Sequence, residues 1–113
     1  MLTVPLTRPY HETGKPVSSL TFRPPRWTEW LEFGDVEEWV PTAAGHEILA
    51  RNMDAIAKYA MKCMVDADPS VVLPVLDIAD SMRLTNAIVD FFEDARRSAR
   101  MPTSSSSDAD AAA

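Results

Sequence analysis

The chain has 113 residues, 17 of them acidic and 11 basic, for a net charge of −6 at neutral pH. That excess of acid argues against a sequence-independent grip on nucleic acid, which needs lysine and arginine set against phosphate, and against docking on an anionic membrane. One cysteine, Cys63, allows no intrachain disulfide and no thiol-rich metal site, and no apolar run approaches the roughly 20 residues that cross a bilayer. With 46% apolar and 25% charged residues, the composition is that of a globular domain with one modest core. The opening Met1–Pro5 has neither a basic region nor a sustained apolar stretch, so the expected location is the cytoplasm.

Residues 1–24 read as a β-hairpin. Leu2, Val4 and Leu6 alternate with Thr3, Pro5 and Thr7, and Val17–Arg23 is rich in β-formers. Arg8–Pro16, punctuated by prolines and Gly14, reads as a long loop between them. Pro5 cannot donate to a ladder, which makes the first strand an edge.

Residues 25–100 read as a mostly helical region continuous with the hairpin. After Pro24-Pro25, residues Arg26–Phe33 fit a short helix ended by Gly34, with Trp27, Trp30 and Leu31 on one face. An acidic connection through Asp35–Glu38 and Pro41 leads to a helix expected from about Ala44 to Asp66. Its stripe is Leu49, Met53, Ile56, Ala60 and Met64. Asp68-Pro69 ends it. The apolar piece Val71–Leu76 then feeds a last helix with Asp77 as its N-cap, Asp80 at the positive end and Arg96, Arg97 and Arg100 at the negative end. Ile78, Met82, Thr85, Val89 and Phe92 form its core stripe. Residues 101–113, made of Thr, Ser, Asp and Ala beyond Pro102, are expected to be a disordered tail. The fold class expected is therefore α+β: an N-terminal hairpin, a small helical domain and a tail.

No catalytic constellation emerges. His11 and His46 are the only histidines, Cys63 has no base nearby in sequence, and Gly14, Gly34 and Gly45 are isolated, so no phosphate-cradling loop exists. No spacing suggests a metal or cofactor, and the expectation is a protein without enzymatic activity. Two features stand out instead. Trp27, Trp30 and Trp39 are interleaved with Glu29, Glu32, Asp35, Glu37 and Glu38. The indoles either fill the core or form an aromatic, acidic surface for a protein partner. In the last helix, Phe91 and Phe92 point about 100° apart. Phe92 continues the core stripe, whereas Leu84, Ile88, Phe91 and Ala95 form a neighbouring line. That line is covered by the short helix, by a second copy of the chain or by a client. Leu84, Ile88, Phe91, Trp27, Trp30 and Trp39 are thus the candidate protein-binding residues.

The order of these segments resembles the small tail assembly chaperones of contractile, Mu-like phages and prophages. Gly14 followed by Val17-Ser18-Ser19-Leu20-Thr21-Phe22-Arg23 and Pro25 matches the family's strand, its Val-x-x-Leu-x-Leu-Arg and its helix-opening proline. Leu76-Asp77-Ile78-Ala79-Asp80 and Val89-Asp90-Phe91-Phe92 match its late Leu-x-x-x-Asp and Val-x-x-Phe-Phe. Phe22 replaces the second leucine, and Arg26 the usual threonine. The Trp-rich segment and the long middle helix lie outside the pattern. The resemblance covers residues 2–95. It implies a homo-oligomeric protein of the host cytoplasm that binds the tape-measure protein, and with it the tail tube protein, during assembly and is absent from the finished virion. A frameshifted, longer form is common in such proteins. The alternatives are a structural tail or head–tail connector component, and a small DNA-binding regulator. The regulator is disfavoured by the acidic charge and by Pro69 and Pro74 between the two long helices.

Overall fold

The computed structural model describes residues 1–100. The chain is α+β, running from an antiparallel hairpin into a mainly helical region. Strands β1 (Leu2–Tyr10) and β2 (Val17–Phe22) form the first hairpin. Leu2 lies opposite Phe22 and Val4 opposite Leu20, all on the face turned to the core. The register slips between Pro5 and Tyr10, and after the slip Tyr10 pairs with Val17 and is fully buried. The strand thus continues three residues, Arg8–Tyr10, into the stretch expected as loop. The loop itself is shorter, closed by the Gly14 amide donating to the His11 carbonyl at 3.0 Å.

Helix α1 (Trp27–Phe33) ends where expected, at Gly34, whose φ of +82° few other residues adopt. The segment that follows departs from expectation. Instead of one helix from Ala44, the chain makes a second hairpin, β3 (Glu37–Pro41) and β4 (Glu47–Arg51), before α2 (Met53–Cys63). The turn is closed by the Thr42 amide donating to the His46 carbonyl at 2.7 Å, and Gly45 sits at φ +83°. A helix through Gly45 would forfeit that turn. Asn52 provides the true start, its side chain accepting the Ala55 amide at 3.1 Å. Leu49 and Met53, expected in the stripe, are exposed, while Ile56, Ala60 and Met64 are buried.

The chain leaving α2 returns to the first hairpin. Met64 bridges Phe22, the Arg23 amide donates to the Cys63 carbonyl, and the Val65 amide donates to the Thr21 carbonyl. Residues 63–65 thereby satisfy the free edge of β2. A one-turn α3 (Pro69–Val72), capped by Asp68, and a 3-10 turn at Leu73–Val75 lead into α4 (Ile78–Arg100).

Helix α4 presents a different line to the core from the one its apolar spacing suggests. Asp80, Leu84, Ile88, Val89 and Phe92 are buried, whereas Ile78 and Met82 are exposed. Leu84 and Ile88, proposed above as outward-facing binding residues, pack in the core with Ile56, Ala60 and Val72. The rotation follows from Asp80. Its carboxylate accepts from the Thr7 amide (2.9 Å), the Thr7 hydroxyl (2.9 Å) and the Tyr10 hydroxyl (2.6 Å), which turns the Asp80–Leu84–Ile88 row inward. Asp77 is likewise not a side-chain cap: both its oxygens are taken by the Arg8 guanidinium, at 2.8 and 3.4 Å. Tyr59 fills the centre, its ring 4.8 Å from Phe92 and 5.2 Å from Phe33. The expected tail, 101–113, lies outside the described residues. Among those described, no helix is long and apolar enough to cross a membrane.

Candidate functional site

Helix α1 is folded with its apolar face outward. Its inward residues are Phe33, which packs against Tyr59, and Glu29, buried and clamped by Arg23, whose Nη1 donates to Oε1 at 2.9 Å while Nη2 donates to Oε2; the Arg26 amide adds a bond of 2.9 Å. This bidentate pair holds the Glu29 carboxyl well below its ordinary value, at about 2, and Arg23 makes the largest contribution. With Glu29 beneath it, α1 leaves Trp27 69%, Leu31 61% and Trp30 45% exposed. The Trp30 indole donates to Asp35 Oδ1 at 2.8 Å, so its one polar atom is satisfied and its ring is held in place.

Opposite this face runs the C-terminal half of α4. A groove of about 420 Å³ lies between them, walled by Trp27 and Trp30 on one side and by Phe91, Ala95 and Ala99 on the other. The small side chains of Ala95 and Ala99 leave the space that a larger residue would occupy. Phe91 is half-buried, resting edge-on against Phe92 with 5.7 Å between ring centres. At Asp35 and Arg96 the groove opens into a second cavity of about 610 Å³, under the second hairpin, lined by Trp39, Leu49, Arg97 and Arg100. Trp39 is 65% exposed there.

Four of the six residues singled out from sequence, Trp27, Trp30, Trp39 and Phe91, therefore meet along one continuous surface, and Leu84 and Ile88 do not. The rim is mixed in charge. Asp35, Glu38 and Glu93 stand on it beside Arg26, Arg96, Arg97 and Arg100. Glu37 lies almost wholly buried at its floor, 3.6 Å from Arg96 Nη1.

A further apolar cleft of about 360 Å³ separates α2 from the 3-10 turn and the start of α4. Met53, Ala57 and Met61 line it from one side and Leu73, Pro74 and Leu76 from the other. Sequence reasoning missed it, although Met53, Ala57 and Met61 recur every four residues.

The side chains that chemistry would need are dispersed. Cys63 is buried, and burial pushes its thiol upward, away from the reactive thiolate. His11 and His46 are exposed, in the loop of the first hairpin and the turn of the second. Among the described residues no three of His, Cys, Asp and Glu gather as a metal site. Comparison with protein-family models, with curated proteins and with solved structures finds no match to this chain.

Proposed function

We propose that this protein is a phage tail assembly chaperone that holds a helical segment of the tape-measure protein in the groove between α1 and α4. The observation that carries the reading is the inverted α1: two indoles and a leucine face solvent while a glutamate is buried beneath them. Large aromatic rings held rigidly in an open groove are what binding hot spots are made of. An amphipathic helix laid into such a groove would cover Trp27, Trp30 and Phe91. The order of motifs from Gly14 to Phe92 supports the choice of client, because it resembles that of the Mu-like chaperones. A tape-measure protein is long, helical and rich in apolar faces that need cover until the tube encloses them. Such a protein works in the host cytoplasm, self-associates, reaches the tail tube protein through its client and leaves no copy in the virion.

The test is co-purification with the tape-measure protein of the same virus. Trp27→Ala and Trp30→Ala should each weaken capture roughly thirtyfold, the scale of losing one aromatic anchor, while Trp27→Ala, at a position 69% exposed, melts within about a degree of wild type and Trp30→Ala, 45% exposed and bonded to Asp35, melts somewhat lower. Undiminished capture by the double variant would refute the groove as the client site. Mass spectrometry of purified virions addresses the other half of the proposal. A stoichiometric amount of this chain in the particle would make it a structural component.

A further inference from the structure

Among the described residues the second hairpin is a two-stranded sheet of its own, so each of its strands has one edge that none of them pairs with. Isolated hairpins are marginal in water, and sheets gain stability with a third or fourth strand. The two edges are not equivalent. The Asn52 amide donates to the Val36 carbonyl and the Thr42 amide to the His46 carbonyl, both at 2.7 Å. With Glu38 opposite Ala50 and Val40 opposite Ile48, the alternation of an antiparallel ladder makes these the inward-bonded pairs. Glu37, Trp39 and Pro41 then direct their main-chain groups out from β3, and Glu47, Leu49 and Arg51 direct theirs out from β4. Pro41 has no N–H to give, which blunts the β3 edge. The β4 edge has no such block, and Glu47, Ile48, Leu49 and Arg51 are all exposed.

We propose that β4 pairs with β4 of a second copy of this chain, antiparallel about a two-fold axis at Leu49. The sequence Glu47-Ile48-Leu49-Ala50-Arg51 is complementary to its own reverse. Centred on Leu49, the pairing sets Glu47 against the second copy's Arg51 and Arg51 against the second copy's Glu47. Parity agrees, since the three residues brought opposite one another are the three whose N–H and C=O groups point outward. Three residue pairs with two main-chain bonds each result. Side chains agree as well. Leu49 lies beside Trp39 within its own hairpin, so the joint creates an apolar row, Trp39–Leu49 and the same pair reversed, across a four-stranded sheet. Arg51, already opposite Glu37, comes to lie between two acids. The two-fold axis stands perpendicular to the sheet, which puts both α4 helices on the same face. This inference does not rest on the client proposed above, whose groove lies along α1.

One strand pair buries little surface, so the dimer is weak and dependent on concentration. Sedimentation of the full chain from about 5 to 500 µM should show a monomer–dimer equilibrium. Glu47→Arg makes both ends of the joint Arg against Arg, and Arg51→Glu makes both ends Glu against Glu. Each variant alone should dimerise at least about tenfold more weakly than wild type. Mixed together they restore an Arg opposite a Glu at both ends, and a heterodimer should form with affinity near that of wild type. Leu49→Cys gives a second readout that does not depend on those variants folding. In the hydrogen-bonded pair the two Cα atoms are about 5.5 Å apart, so a short thiol-reactive bifunctional cross-linker should lock the dimer covalently; Cys63 is buried and does not compete. A chain monomeric at every concentration overturns the proposal. So does a dimer that the charge reversals leave unchanged and the Leu49→Cys variant does not cross-link, which would place the contact elsewhere, for example at the tryptophan groove.

Discussion

The Asp80 carboxylate is fully buried, yet it is held in its charged form. Burial alone would raise its proton affinity, but the bonds from the Tyr10 hydroxyl and from the Thr7 amide and hydroxyl outweigh that and lower it. Asp80→Ala would leave a buried tyrosine hydroxyl and a strand amide without this acceptor, and it should cost about 3 kcal/mol in urea unfolding. Glu29 carries the pH dependence more clearly. Its folded pKa, about 2, lies below its ordinary 4.5. The stabilisation it gives is therefore complete above about pH 4.5 and is lost as pH falls toward 2. Glu29→Gln should melt below wild type at pH 7, and its melting temperature should change less between pH 4.5 and 2. A parallel fall in both proteins would show that Arg23 and Glu29 do not act as a linked pair. Neither buried acid could be identified from sequence. Arg23 and Glu29 are six residues apart, but Asp80 and its partner Tyr10 are separated by 70.

What was readable in a segment depended on whether its partners were local. Helix α1 was readable from Pro24-Pro25 and Gly34, because proline and glycine act on their own backbone. Its orientation was not, because the face that looks like a core stripe, Trp27–Trp30–Leu31, is turned outward by a salt bridge from Glu29 to Arg23, the residue just after β2. Strand β4 reads as helix because Leu49, Met53 and Ile56 happen to fall at helical spacing, and β3 reads as an acidic connection. The opposing signals were present: Gly45 inside the proposed helix, and Asn52 before Met53-Asp54 as a cap with an acid in the first turn. In α4 the apolar residues support two rows: the distant donors on β1 turn the Asp80–Leu84–Ile88 row inward, while Val89 and Phe92 of the other row stay in the core. The choice can be measured. Leu84→Ala should cost about 2–5 kcal/mol by leaving a cavity, whereas Met82→Ala, at a position 60% exposed, should stay within about 1 kcal/mol. Equal losses would mean that the helix is rotated from the orientation described. Of the candidate surface, the tryptophans and Phe91 were visible as types of residue, and their convergence appeared only once α1 and α4 were placed side by side.

Across the molecule, the two ends of the described chain hold each other. Tyr10 and Thr7 bond Asp80, Arg8 bonds Asp77, and Val4, Leu20 and Phe22 share one core with Leu84, Ile88 and Phe92. The second hairpin stands outside that closure, attached at its base by Glu37–Arg96 and by Arg51 donating to Asn86 at 2.8 Å. The parts assigned to binding are thus carried on a framework that closes without them. The closure also sets the order of events during synthesis. Chains grow at roughly 5–20 residues per second, so the 70 residues between Tyr10 and Asp80 take roughly 4–14 s to appear. Throughout that interval the first hairpin is on the ribosome with its tyrosine unpinned and its apolar face uncovered by α4. Any partner that captures that face in those seconds competes with the chain's own last helix.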